Sequence, residues 1–154
     1  AKPVCPTATR LSGGPSGARA GWGTWGAGNF ETHNGPFYHR MDDAGRIQCA
    51  FRVEPKHLNG QGNVHGGAFM SFADYCLAAT AAPVLQGPGV TVSFACEFLD
   101  TAREGELVEG IGEIMRAGGS MIFMRGLLKS GERPLFTFSG TIRRVKRSPA
   151  QADN

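Results

Sequence analysis

The stretch Asn59-Gly-Gln-Gly-Asn-Val-His65-Gly66-Gly67-Ala-Phe-Met-Ser-Phe-Ala-Asp74 decides the fold of this chain. Its first half has the glycine and asparagine content of a turn. Its second half opens an apolar run with a single acid, and the spacing predicts a helix over residues 66–82, stopped by Pro83. A glycine-rich turn running directly into a helix leaves the first backbone N–H groups without partners, at the positive end of the helix dipole. Asp74 follows about two turns later. The stretch therefore offers donors for an oxyanion and a carboxyl group for proton transfer. That pairing points to acyl transfer, first of all hydrolysis of an activated ester such as a thioester.

Strands are predicted on both sides of the helix. Residues 37–41 form a short strand, and Asp42-Asp-Ala-Gly45 the turn after it. Over residues 46–54, Ile47, Cys49, Phe51 and Val53 face one way and Arg46, Gln48, Arg52 and Glu54 the other. Residues 90–99, 106–116, 120–129 and 134–145 read as four more strands in a meander. The separators at 103–105, 117–119 and 130–132 are glycine-containing turns of hairpin length. One long helix, apolar nearly all round, needs its surface covered. The expected solution is an α+β fold in which a curved antiparallel sheet of five to six strands wraps one central helix. Residues 120–125 are apolar on both faces, so the outer face of the sheet is expected to pack on another subunit.

With 154 residues, 41% apolar and 19% charged, the chain fits one globular domain. The expected division is a flexible Gly/Pro/Ser-rich arm at 1–29, the domain at 30–146 and a disordered tail at 147–154. Trp22 and Trp25 would anchor the arm on the body or on a partner. A net charge of +3 is not the dense footprint of a nucleic-acid binder, but it suits a small anionic ligand. No apolar run is read as long enough to span a membrane, and residues 1–20 hold no secretory signal. Cys5, Cys49, Cys76 and Cys96 lack a C-x-x-C pair and read as reduced thiols of a cytoplasmic protein. His33, His39 and His57 show no ligand spacing, so no metal site is expected, and hydrolysis by water calls for no organic cofactor.

Each candidate site residue has a chemical and a plainer role. The neighbours of Asp74 at three and four residues are Met70, Ser71, Leu77 and Ala78, none of them a cation. Either the acid is held in an apolar setting for proton transfer or it points to solvent at the polar edge of the helix. Gly66 and Gly67 either present oxyanion donors or merely allow a tight turn. His65 either braces the loop or moves a proton. Asn59 either holds a water or carbonyl or caps the turn. Thr91 and Ser93 are read as sharing one strand face, where either hydroxyl could orient a water. Phe69, Phe72, Tyr75 and Phe94 either shape an acyl pocket or belong to the core. Among the basic residues of the second half, Arg103 and Arg116 are the candidates for phosphates.

The pattern Asn59-x-x-Gly62-x-x-His65-Gly66-Gly67, with an acid seven residues after the second glycine, resembles the hotdog-fold acyl-CoA thioesterases of the PaaI and 4-hydroxybenzoyl-CoA thioesterase type. Residues 89–114, GVTVSFACEFLDTAREGELVEGIGEI, resemble the strand after the helix in that family and its a-r-x-G turn. The likeness covers residues 35–145. It implies Asp74 as general base or nucleophile, Gly66 (with Gly67) as oxyanion donor, His65 beside the thioester, Asn59 holding water or carbonyl, and Thr91 orienting the water from a neighbouring subunit. It further implies a homotetramer built from dimers, with coenzyme A entering as part of the substrate and phosphates meeting Arg103 and Arg116. Departures are Thr101 in place of a common proline, a short Gly87-Pro-Gly89 loop and the arm itself. Two other readings stand: an enoyl-CoA hydratase or dehydratase on the same fold, and a non-catalytic acyl-CoA-binding regulator. The His-Gly-Gly order with an acid on the helix favours hydrolysis over the first. The intact acid, and an arm without a helix-turn-helix pattern, weigh against the second.

Overall fold

A computed structural model of the chain describes residues 21–25 and 29–146, so most of the arm, the tail, Cys5 and Arg147 lie outside the described residues. The elements run α1 (Asn29–Asn34), β1 (Tyr38–Met41), β2 (Ile47–Arg52), α2 (Gly66–Leu85), β3 (Gly89–Phe98), β4 (Leu107–Ala117), β5 (Met121–Ser130) and β6 (Arg133–Arg144). The six strands form one antiparallel sheet in the order β1-β2-β4-β5-β6-β3, wrapped around α2. This is the architecture the resemblance implies.

The alternation read over residues 46–54 is what places β2. Cys49, Phe51 and Val53 are buried on the concave side, with Cys49 opposite Gly110 and Phe51 opposite Val108. Gly110, Gly112 and Gly140 face α2 so closely that a Cβ at each would collide with Cys76, Thr80 and Leu77 respectively. The helix therefore rides directly on the sheet backbone. Phe37, Phe51, Phe72 and Tyr75 pack ring against ring, with Phe51 and Phe72 centroids 4.7 Å apart. Burying each such ring contributes about 1.5–3 kcal/mol.

Three features differ from the sequence reading. The helix passes Pro83 and ends at Leu85. Proline removes one N–H donor and crowds the carbonyl a turn back, but here only Val84 and Leu85 follow it in the helix. Gln86 then turns left-handed (φ 56°), and the Arg144 guanidinium donates to the Val84 and Leu85 carbonyls at the negative end of the helix. Second, β3 pairs with β6 rather than with β4, so the meander is β4-β5-β6 and residues 99–106 cross the end of the sheet. Arg133 fastens that crossing by ion pairs to Asp100 (3.0 Å) and Glu106 (2.5 Å). Both β1 and β3 are left as edges. Third, α2 has the length and mean hydropathy (1.4) of a membrane-crossing helix, contrary to the sequence reading. The sheet covers half of that window, and Gly67, Met70 and Asp74 on its open face are exposed.

Residues 21–25 hook around the β1 edge. Gly23 and His39 exchange both backbone hydrogen bonds, each 2.9 Å. Trp22 lies with Tyr38 and Ala50 on the convex face under the Arg40 guanidinium, 4.9 Å from the ring centre. Trp25 lies on the other face against His39 and Tyr75. Both tryptophans thus anchor on the body of their own chain.

Candidate functional site

The turn before α2 is closed by Asn59. Its Oδ1 accepts from the Gln61 N–H (2.9 Å) and the Asn63 N–H (3.2 Å), and its own N–H donates to the Asn63 carbonyl. Asn59 is therefore a turn cap, the plainer of its two roles, with the amide Nδ2 left over. The exit of the turn is pinned on two sides. Val64 N–H donates to the Ala102 carbonyl, and His65 N–H to the carbonyl of His57.

His57 is itself buried and holds the loop from below. Its Nδ1 accepts from the Glu54 N–H, so its Nε2 carries the proton donated to the Asn34 carbonyl (2.5 Å). Burial pushes this imidazole below its ordinary range.

His65 occupies the N-cap of α2, and its Nδ1 accepts from the Gly67 N–H at 2.9 Å. This corrects the expectation of two free donors, because the Gly67 amide is already taken. Among the described residues no hydrogen bond engages the Gly66 N–H. It stands at the first helical position, at the positive end of the α2 dipole. His65 is exposed, and with Nδ1 accepting, its Nε2 carries the proton and faces outward.

Asp74 is exposed on the open face of α2 and accepts from the Thr91 hydroxyl at 2.7 Å. Two expectations are corrected here. The hydroxyl on Asp74 belongs to the same chain, not to a neighbour. Thr91 and Ser93 do not share a face, because the β3–β6 register shifts between them. The extra residue, Val92, turns Thr91 toward the helix with its partner Ile142 and sends Ser93 to the convex side with Thr141. Ser93 therefore leaves the site.

Gly66 and Asp74 lie on one helix face but eight residues apart, about 12 Å along the axis. A single carbonyl cannot touch both within one chain. Met70 stands midway between them on the same face, 42% exposed.

The predicted aromatic lining belongs to the core. Phe69 is buried against Phe136, and Phe72 is fully enclosed. Tyr75 donates to the Phe37 carbonyl (3.1 Å) and so accepts from His39 Nδ1 (2.7 Å). Burial pushes its phenol far up, away from any proton-transfer role. Phe94 stacks on Phe138. Sequence reasoning overlooked Phe98, which is 56% exposed, with its ring against Gly66. An aromatic in an alternating strand gives no sign of which backbone it will meet across the fold.

Arg103 and Arg116 are both exposed but flank opposite ends of α2. Arg103 adjoins Ala102, which holds the glycine-rich turn, whereas Arg116 is near the end of β4, roughly 30 Å further along the strand. Among the described residues no group of three or more His, Cys, Asp or Glu side chains could hold a metal ion.

Comparison with known proteins identifies the architecture. The thioesterase superfamily model matches residues 61–137, which include the turn from Gln61 onward, α2 and Thr91. A Pseudomonas aeruginosa protein named as an esterase is 34% identical over 110 residues, covering 69% of this chain and 81% of that protein. The Homo sapiens acyl-coenzyme A thioesterase 13 is 26% identical over 98 residues, covering 63% of this chain and 70% of that protein. The Escherichia coli PaaI protein of the phenylacetic acid degradation operon superposes with a TM-score of 0.70 at 19% identity, over 79% of this chain and 88% of that one. The six-stranded sheet around one central helix is thus a hotdog fold, and the chain belongs to the thioesterase superfamily.

Proposed function

We propose that the chain hydrolyses an acyl-CoA thioester to free acid and CoA, in a site built by two copies. The carrying observation is the separation on α2: a carboxylate already oriented by Thr91, and an unclaimed N–H on half-buried Gly66 about 12 Å away along the helix. A twofold axis passing near Met70 would set Asp74 of one copy beside the partner's Gly66, and do so twice. The exposed edge strand β3, with Val90 and Val92 half exposed, supports pairing along the same seam. The apolar residues Ile111, Met115 and Phe123, exposed on β4 and β5, support a second contact that would join dimers into a tetramer.

In this reading Thr91 occupies Oδ1 of Asp74 and leaves Oδ2 for a water. Asp74 takes a proton as that water attacks the thioester carbonyl. The Gly66 N–H holds the oxyanion, and its collapse expels the CoA thiolate, which receives the proton. Asn59 Nδ2 and His65 Nε2 are the remaining donors at that end of the site. Arg103 is assigned to the CoA phosphates, since its guanidinium makes no ion pair among the described residues. No resident cofactor is invoked, and the activity is placed in the cytoplasm. The name of the human relative supports the choice of acyl-CoA as substrate.

The test is a panel of aryl, short, medium and long acyl-CoAs with detection of released thiol. Asp74→Asn should lower turnover of the best substrate at least about a hundredfold with the fold intact. Unchanged turnover would remove Asp74 from the mechanism.

A further inference from the structure

Phe98 borders the backbone amide to which the proposed mechanism gives the oxyanion. It is the last residue of β3, opposite Phe136 in register, and it is 56% exposed. Its ring is nonetheless fixed. It meets the buried Phe136 ring edge-on, with centroids 5.0 Å apart and planes at 75°. The chain directly after it is pinned by Leu99 and Asp100 N–H groups on the Leu135 carbonyl, 2.9 and 3.1 Å. The free edge of the ring leans over Gly66. A Cβ there would lie 2.9 Å from Phe98 Cε1 and 3.2 Å from Cζ, so a side chain at residue 66 would have to displace this ring slightly.

The residue whose N–H is free for an oxyanion is thus covered on one side by a rigid, half-exposed aromatic surface. Met70, 42% exposed, is one helical turn from Gly66. A thioester carbonyl bound at the Gly66 N–H has two substituents, the acyl group and the sulfur that leads to pantetheine. Pantetheine carries amides that need hydrogen-bond partners, and the Phe98 ring has none to offer. The acyl chain is the substituent that fits.

We infer that Phe98 is the specificity-determining residue of the site, the wall on which an apolar acyl group rests while its carbonyl meets the Gly66 amide. The inference depends on the thioesterase reading above. It gives Phe98 no proton or bond to move, only a preference for acyl-CoA over CoA and for larger apolar acyl groups over acetyl.

The experiment separates the two claims. Phe98→Ala and Phe98→Leu are made in full-length Asp74→Asn protein, in which hydrolysis is suppressed. Each is titrated calorimetrically with CoA and with acetyl-, hexanoyl- and phenylacetyl-CoA. Phe98→Ala should weaken hexanoyl- and phenylacetyl-CoA about tenfold, the scale of losing apolar contact in a pocket, and leave CoA unchanged. Phe98→Leu should lie between and keeps the test sound if the alanine variant folds poorly. An unchanged ratio of acyl-CoA to CoA affinity in Phe98→Leu and Phe98→Ala overturns the proposal, and so does an equal loss for CoA and every acyl-CoA. If the Asp74→Asn parent with Phe98 intact binds no acyl-CoA, the thioesterase reading falls and takes this inference with it.

Discussion

The proposed mechanism rests its oxyanion stabilisation on one backbone group, the Gly66 N–H. His65 removes the neighbouring Gly67 N–H from use by capping with Nδ1, so one amide remains for an oxyanion. Gly66 is the first helical residue, and the residue before it is extended (φ −63°, ψ 136°), a conformation compatible with a following proline. Gly66→Pro should therefore fold, with Phe98 shifting slightly, while lacking the donor. Its kcat is expected to fall about 10²–10³-fold, as when an oxyanion donor is lost. Circular dichroism and thiol release check the two halves of that expectation, and undiminished kcat would place the donor elsewhere.

The histidines supply a pH dependence of stability. Burial lowers the folded-state pKa of both His57 and His39 below the ordinary value of 6.5. Between that lowered value and 6.5 the unfolded chain binds more protons than the folded one, so stability rises with pH. It is fully present above about pH 6.5 and is lost as the pH falls toward the folded values. Thermal melts from pH 7.5 to 5 should show a falling Tm, with a shallower slope in His57→Gln. An equal slope would mean that His57 takes no part in the loss.

Single residues were legible in the sequence where their role follows from local chemistry. Asp74 stands out as an acid in an apolar helix, and Gly66 as a glycine at a helix start. Ser93 was misplaced because one extra residue in β3 inverts the alternation, and a bulge leaves no mark on composition. Phe69, Phe72, Tyr75 and Phe94 were not distinguishable as core or site, and Phe98 drew no notice, since burial is decided by what packs across from each ring.

At the scale of elements, periodicity placed every strand and α2 within a few residues, but left the short α1 unread. It could not say which strands pair, because β3 reaches β6 through backbone contacts remote in sequence. Nor could it foresee that α2 continues through Pro83, since the element that secures its end is on β6. Arg144 receives no signal from its neighbours, yet its guanidinium caps the Val84 and Leu85 carbonyls and its Nε reaches that of Gly118. Arg144→Ala should cost about 1–3 kcal/mol, the range for hydrogen bonds to a charged group. Denaturant unfolding would register it as a lower midpoint with unchanged slope. Turnover should survive, since this end of α2 is remote from Gly66 within the chain. A midpoint equal to the parent's would show that the cap adds nothing.

At the scale of the whole molecule, the proposed mechanism divides the work between two chains. Thr91 is hydrogen-bonded to Asp74 of its own chain, and the proposed mechanism has Gly66 serve the site of the other chain. The most direct measurement is complementation between inactive variants. Asp74→Asn and Gly66→Pro chains are mixed, dissociated and reassembled, and thiol release from an acyl-CoA is followed. Random pairing leaves half the dimers mixed, each with one intact site of two, so recovery of roughly a quarter of wild-type activity is expected. Asp74→Asn mixed with Thr91→Val should recover no more activity than its two parents separately, because both defects always fall on the same half of a site. No recovery in the first mixture, or recovery in the second, would contradict a catalytic centre divided between Asp74 of one copy and Gly66 of the other.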